Sequence, residues 1–557
     1  MNHETIDTDI LIVGAGGAGM LAAMHALERR PRPRPRIAMV VKGLLGQSGC
    51  TRMVQGGYNA VLNSRDSLDL HFGDTVRGGG FLNNQELAWK LVEEAPRRIV
   101  ELENKAGCLF DRNDDGTIHQ KPFAGQSFDR TVHKGDLTGI EIMSNLRDWV
   151  LDHPEIRVLQ ECRALDLIQD GNGRVRGALL LQIHTGRFIA VSARATLLAT
   201  GGGARMYKIS SPSLEKSGDG MAIGYRAGAE FVDMEMLQFH PTGLLVGTSV
   251  ATGGLLEEGL RGAGARLYNG AGERYMERYA PDKLERATRD VVSRSSYLEI
   301  MAGRGSPAGG VFIDLSHLDH DMVRRSFPGM IERCAGYGFD LVHDRVEVSP
   351  SAHYQMGGMT IGLQCRTTLD GLFAAGEDAG GVHGANRLGG NGVADSIVYG
   401  GVAGDAMPDL LLDPAPLPAL DAIRDRWSRL LGGSGTENVF SVRKEIENLM
   451  WEKVGVVRNG RDLEAAIAAL ETLGERAERV AVAGTAASNP AWNHTIDAID
   501  TVAVADMVAR SALRRTESRG AHYRADFPSP DPAWLRNIHL TKDGMTERPV
   551  EFTRLKP

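Results

Sequence analysis

The chain has 557 residues, 24% of them charged and 42% hydrophobic, and a formal net charge of −8. This length allows roughly three to four domains with well-buried cores, and the mild charge, with no long basic stripe interleaved by aromatics, argues against nucleic-acid binding. Five scattered cysteines (Cys50, Cys108, Cys162, Cys334, Cys365) lack C-x-x-C spacing, which excludes an intrinsic four-cysteine zinc or iron–sulfur site and argues against a disulfide scaffold. Residues 9–13 (D-I-L-I-V) read as a short apolar strand. Gly14-Ala15-Gly16-Gly17-Ala18-Gly19 follows at once, then a helical stretch to about Leu27, and residues 37–41 complete a βαβ unit. Between them, residues 29–36 (R-R-P-R-P-R-P-R) read as a solvated loop stiffened by prolines, with a membrane or partner contact as the minority reading. Asn84 is placed to cap a helix over residues 85–94, and Pro96 to open another ending near Gly107. Residues 194–200 (R-A-T-L-L-A-T) form a buried strand running into Gly201-Gly202-Gly203.

From about residue 244 to 345 the glycine motifs thin out, which suggests an inserted domain, and they resume over residues 349–404. A proline-rich linker (residues 408–418) precedes helical periodicity at 441–454, 461–480 and 496–515, and residues 549–557 read as a short strand and tail. The fold expected is α/β: a Rossmann-like domain at 1–243 and 345–407, an α+β capping domain at 244–344, a helical bundle at 419–525 and a tail at 526–557. No apolar run reaches the roughly 18 residues that span a bilayer, and the N-terminus is no signal peptide. The chain is therefore expected in the cytoplasm, at the inner membrane only through a partner.

Glycine is over-represented, with 68 residues grouped in short motifs without a triplet period. Gly14, Gly16 and Gly19 match G-x-G-x-x-G directly after a strand and at a helix start. There the glycines permit a tight turn and close backbone approach to a pyrophosphate, and the helix N-terminus offers free N–H groups. The end of the second strand carries Lys42 where an acid for the ribose is usual, and the distant A-T-G-G-G segment and Glu377 supply further contacts. Such distributed contacts suit a permanently bound FAD better than an exchanging nicotinamide. S-A-H-Y-Q-M-G-G (from Ser351) and H-G-A-N-R-L-G-G-N (from His383) each set a basic side chain within glycines, which suits a small anion lying against a flat cofactor.

Over nearly its whole length the chain resembles the succinate dehydrogenase, fumarate reductase and L-aspartate oxidase flavoprotein family. The matches are G-A-G-G-A-G-M, V-Q-G-G, P-F-A-G-Q-S, Q-F-H-P-T-G, R-D-V-V-S-R, H-Y-Q-M-G-G, H-G-A-N-R-L-G-G-N and E-S-R-G-A-H-Y-R, in order. The resemblance implies FAD, expected to be non-covalent because of Cys50 as described below, contacted by Gly14, Gly16, Gly17, Ala18, Gly19, Lys42, Ser48, Cys50, Thr51, Gln55, Gly56 and Gly57. Ala199, Thr200, Gly201, Asp219, Glu377, Arg387 and Asn391 complete that set. It implies that His240, His353 and Arg387 clamp the carboxylates of a C4-type dicarboxylate, with Phe123, Gln126 and Glu257 also in the substrate site. Hydride would pass between flavin N5 and one carbon, Arg289 would give the proton, and Glu258 and Arg261 would relay protons from solvent. No metal is expected. A separate iron–sulfur subunit is the expected electron-transport partner.

Three positions depart from the family or divide it. Succinate dehydrogenases and quinol-linked fumarate reductases carry a flavin-linked histidine five residues before the Q-G-G glutamine, and here that position is Cys50. Aspartate oxidases place a glutamate at the position of Gln126, so glutamine favours an unaminated dicarboxylate. The family's T-E-G reads E-E-G here, so Glu257 replaces a carboxylate-binding threonine, and a carboxylate there would repel a carboxylate unless protonated or bridged. Glu257 either turns away or faces a substrate with a cationic group. The alternatives to a fumarate or succinate enzyme are an L-aspartate oxidase-like enzyme and a catalytically silent electron-carrying flavoprotein.

Overall fold

The computed structural model describes residues 3–29, 33–432, 435 and 437–557. Strand β1 (Ile10–Val13) is four fully buried apolar residues, a run that needs cover on both faces. It turns directly into helix α1 (Gly17–Arg29), and β2 (Ile37–Val40), β3 (Ile156–Leu159) and β4 (Ala195–Leu198) return to the same sheet. Residues 30–32 of the arginine–proline run lie outside the described residues. Its neighbours Arg34 and Arg36 are exposed and pair with Glu155 and Asp9. Antiparallel β5 (Leu237–Leu244), helix α2 (Arg289–Glu299) and β6 (Val346–Gln355) follow. The chain then adds the edge strand β7 (Leu372–Ala374) and enters α3 (Asn391–Ala406).

The central sheet is wholly parallel in the order β7-β4-β1-β2-β3. The carboxyl ends of β1, β2 and β4 therefore open on one edge, where such sheets bind nucleotides. A second hydrophobic core draws only on residues between Leu244 and Val348 and packs behind the β5–β6 pair. Helices α4 (Val439–Lys453), α5 (Gly460–Glu478) and α6 (Pro490–Arg514) share the core of the central sheet.

Several boundaries differ from those read in the sequence. The two helices expected around Pro96 are one, Gln85–Glu101, with its N-terminus capped by Asn84. Proline removes a single hydrogen bond, and the amphipathic face on both sides carries the helix through it. Helix α6 begins at Pro490, six residues before the expected start, because Asn489 accepts from the Trp492 N–H and proline fits the first turn. The strand expected over residues 549–557 lies earlier, in a hairpin of Arg536–Thr541 and Gly544–Pro549 turned at Lys542-Asp543.

Candidate functional site

The first cavity forms at the carboxyl edge of the sheet. Gly14, Gly16, Gly17 and Ala18 line it with Lys42, Ser48, Cys50, Thr51, Ala199, Thr200, Gly201, Asp219 and Glu377. Gly14 has φ +110°, and a Cβ there would lie 2.1 Å from the Ala199 carbonyl oxygen, so the turn tolerates no side chain. Thr51 Oγ1 takes the Gly17 N–H at 3.2 Å, while among the described residues no acceptor takes the N–H groups of Ala15, Gly16 and Ala18. Free N–H groups at the start of a 13-residue helix suit a pyrophosphate. Lys42 lies two residues beyond β2, and Asp219, on the helix Asp219–Ala227, comes to 3.2 Å from its Nζ. The acid that β2 lacks is thus delivered from another segment. Asp497 of α6 also accepts from Lys42 Nζ at 2.6 Å, and buried Arg163 holds both aspartates.

A second cavity shares Cys50, Thr51, Glu377 and Ser396 with the first. The two run together, which fits a cofactor with FAD's two parts, nucleotide at one end and ring at the other. Gln55, Gly56, Gly57 and Phe123 form one side of the second cavity, and His240, His353, Arg387, Arg289, Glu258 and Glu257 line it too. Neighbouring strands bring the histidines together: His240 on β5 pairs with Ser351 on β6, and the two rings are 5.6 Å apart. The Thr242 N–H donates to His240 Nδ1 at 3.3 Å, which leaves that ring's proton on Nε2. Ser211 Oγ sits 2.9 Å from His353 Nδ1. Burial, with the neighbouring arginines adding to it, pushes both histidines well below their ordinary pKa, so both are neutral single donors.

Arg387 stacks on the Tyr354 ring at 4.5 Å, and its pKa falls to about 10 through burial and the charge of Arg289. It stays protonated at neutral pH. The Gln238 side-chain oxygen accepts from both Arg289 Nη1 (3.1 Å) and Arg387 Nη2 (2.9 Å). Its amide nitrogen donates to Asn386 and to the Arg387 carbonyl. One buried carboxamide therefore sets the spacing of two guanidinium groups. Arg289 Nε and Nη2 both donate to Glu258 Oε2, the first at 2.8 Å, and Glu258 Oε1 accepts from Arg261 at 3.3 Å. Burial opposes the Glu258 charge, but Arg289 and Arg261 hold its pKa below the usual range. Arg261 is itself buried, so solvent is not reached there. It donates to the Glu285 carbonyl, and the Glu285 carboxylate pairs with the more exposed Arg274.

Four expected contacts are absent from both walls. Gly19 packs its backbone against the Gly14 carbonyl, behind the turn. Asn391 is spent on Asn59, His71 and Thr75, inside the protein. Arg261 lies one step behind Glu258. Gln126 donates to Asn59, Thr131 and the Gly389 carbonyl, so it braces the glycine loop and does not touch the cavity. Its side-chain oxygen has no partner among the described residues.

Sequence motifs missed the partners that neutralise the wall. Lys216 pairs with Glu377, whose other oxygen accepts from the Gln355 N–H at 2.9 Å. Lys121 donates to Glu257 at 2.6 Å, which is the bridge that an acid at that position required. Arg333, on the helix Pro328–Ala335, lines the cavity and donates from Nη1 to the Leu255 carbonyl at 3.0 Å; with the Gln55 amide assigned so that its oxygen faces Arg333, that oxygen also accepts from Nη1 and Nη2 at 2.9 and 3.1 Å. No spacing in the sequence links these pairs, since each joins segments far apart in the chain. Among the described residues no group of three His, Cys, Asp or Glu could hold a metal, and no helix is long and apolar enough to cross a membrane.

Residues 9–393 match the FAD binding domain family, and residues 443–557 match the fumarate reductase flavoprotein C-terminal family. The chain is 43% identical over 548 residues to an uncharacterised FAD-dependent oxidoreductase of Methanocaldococcus jannaschii, covering 98% of each. It is 41% identical over 547 residues to one subunit of the CoM/CoB fumarate reductase of Methanothermobacter marburgensis, covering 97% of this chain and 98% of that one. Among solved structures it is similar to the FrdA chain of E. coli quinol fumarate reductase, with TM-score 0.94 and 32% identity over 100% of this chain and 98% of that chain.

Proposed function

The chain belongs to the fumarate reductase and succinate dehydrogenase flavoprotein family, and on that premise we propose that it reduces or oxidises a fumarate- or succinate-like dicarboxylate held in the second cavity. It is an FAD-dependent oxidoreductase. One observation carries the assignment of residues. His240 and His353 from paired strands, Arg387 from the glycine loop and Arg289 from the first turn of α2 line one cavity, continuous with the nucleotide cavity.

Gly14, Gly16, Gly17 and Ala18 would hold the pyrophosphate of FAD, with Lys42 and Asp219 towards the ribose and Gln55, Gly56 and Gly57 towards the ring. Bound FAD supplies the hydride. The chain's own residues do the rest. Arg387 offers a two-pronged cation and the neutral imidazoles one directed N–H each, which orients a carboxylate and polarises the carbons beside it. Arg289 uses one Nη1 hydrogen on Gln238, and the other is free to protonate substrate carbon. Glu258 lies against Arg289 and would return the proton, fed through Arg261.

The separate core between Leu244 and Val348 supports reading that segment as a capping domain that carries Glu257, Glu258, Arg289 and Arg333 over the cavity. Electrons would pass to or from an iron–sulfur partner, since among the described residues no group of His, Cys, Asp or Glu could hold a cluster. A cytoplasmic location, with any membrane attachment made through that partner, is part of the same proposal.

Purified protein is expected to oxidise reduced viologen when fumarate is added, with little turnover of aspartate plus oxygen. Aspartate turnover alone would favour the oxidase reading, and no turnover with either would favour a silent electron carrier. Cys50 stands at the family's histidine position as a free thiol, with the Ser213 N–H 3.5 Å from its sulfur. Acid precipitation is therefore expected to leave the yellow flavin in the supernatant; flavin in the pellet would refute non-covalent binding.

A further inference from the structure

Glu257 is an acid of the substrate wall whose carboxylate pairs with a lysine and not with either catalytic arginine. It is 3% exposed and lines the second cavity. Its Oε1 accepts from Lys121 Nζ at 2.6 Å, while among the described residues no donor reaches its Oε2. Lys121 is further tied to the Gly135 carbonyl at 3.3 Å, so the ammonium is held on the outer side of the acid. The charged groups acting on Glu257 come from three segments. Lys121 lies on the strand Gln120–Lys121, Asp136 in the loop that follows His133, and Glu258 is the next residue, while Arg333 on the helix Pro328–Ala335 lines the same cavity. From that last helix Met330 Sδ accepts the Glu257 N–H at 3.4 Å, which fixes the backbone beneath the side chain. Asp136 keeps one buried oxygen without a partner.

Glu257 Oε2 belongs to a residue lining the cavity, and a fully ionised substrate carboxylate placed against it would be repelled. The repulsion vanishes if the substrate brings a hydrogen to that oxygen. We infer that Glu257, clamped by Lys121, is a specificity-determining residue that accepts a hydrogen bond from the end of the substrate placed against it. A terminal amide or hydroxyl supplies that hydrogen directly. A dicarboxylate supplies it by taking up one proton, shared between its second carboxyl and Glu257, so it binds as a monoanion. Burial raises the pKa of Glu257, Lys121 opposes it, and Asp136 and Glu258 add to it, which favours holding that proton. Neither His240 nor His353 competes for it, since both are held neutral.

The inference rests on the dicarboxylate reading above, and the test separates the two. Binding of fumarate and of its monoamide to the FAD-loaded protein is measured calorimetrically between pH 6 and 9, in two buffers of different ionisation enthalpy. For the unaltered protein, fumarate is expected to bind with uptake of about one proton. Its affinity should fall towards tenfold per pH unit in the alkaline range, while the monoamide binds without proton uptake. Glu257→Gln and Glu257→Thr each offer a donor of their own. Fumarate should then bind without proton uptake at every pH, and the preference for the monoamide at high pH should be lost. Equal, proton-free binding of fumarate in all three proteins overturns the inference and leaves the function standing. Failure of both ligands to bind any of the three overturns the function, and the inference with it.

Discussion

Arg289→Lys is expected to lower kcat by about 10³-fold or more while FAD stays bound and KM changes little. Arginine at this position makes three directed contacts at once, two to Glu258 Oε2 and one to Gln238, and still keeps an Nη1 hydrogen for substrate. A lysine ammonium is a point charge on a flexible stem and cannot span the two acceptors together. It would settle on Glu258, withdraw from Gln238 and move the transferable proton away from the cavity. The charge of the wall is preserved, so ground-state binding by Arg387, His240 and His353 should survive. Such a loss falls on kcat, as expected for an interaction made only in the transition state. Steady-state kinetics with fumarate, beside an absorbance spectrum for bound flavin, check it. Near-normal kcat would remove Arg289 from proton transfer, and loss of flavin would show its role to be structural.

Gly14→Ala is expected to abolish FAD binding and to destabilise the protein even without cofactor, by about 3–5 kcal/mol. Two costs add. The residue has φ +110°, a conformation that L side chains rarely adopt, and its new Cβ would lie 2.1 Å from the Ala199 carbonyl oxygen and 2.9 Å from the Thr200 nitrogen. Those neighbours are backbone atoms at the end of β4, which cannot step aside without breaking the β1–β4 pairing. Any relief must move the turn, and the turn presents the free N–H groups of Ala15 and Gly16. The flavin-to-protein ratio after purification reads the first effect. Urea unfolding of the cofactor-free forms reads the second, free of the stabilisation that bound ligand lends. A variant that retains full flavin would mean that this turn does not carry the pyrophosphate.

The local parts of the molecule were legible because their causes are local. A four-residue apolar run followed by glycines specifies strand, turn and helix start within a few residues, and Asn84 announces the helix it caps. The motifs around His240, His353 and Arg387 named the basic wall of the cavity before any fold was known. Boundaries slipped where a local cue was weighed too heavily, as at Pro96, or missed, as at Pro490. Gln126 shows a different effect of the fold. Its motif lies beside the cavity, but a long amide among Asn59, Thr131 and Gly389 gains more from bracing buried backbone than from facing the cavity.

Sequence by itself determined the cofactor class, the reaction class and most of the donors in the wall. Only the tertiary structure decided which cation meets which acid in and around the two cavities. Lys42 meets Asp497 from 455 positions away, Lys216 meets Glu377 across 161, and Lys121 meets Glu257 across 136. Turn chemistry and hydrophobic periodicity act over a handful of residues. The partner of a buried charge is whichever side chain the folded chain brings within hydrogen-bonding reach, and that choice determines whether Glu257 repels a substrate or receives one.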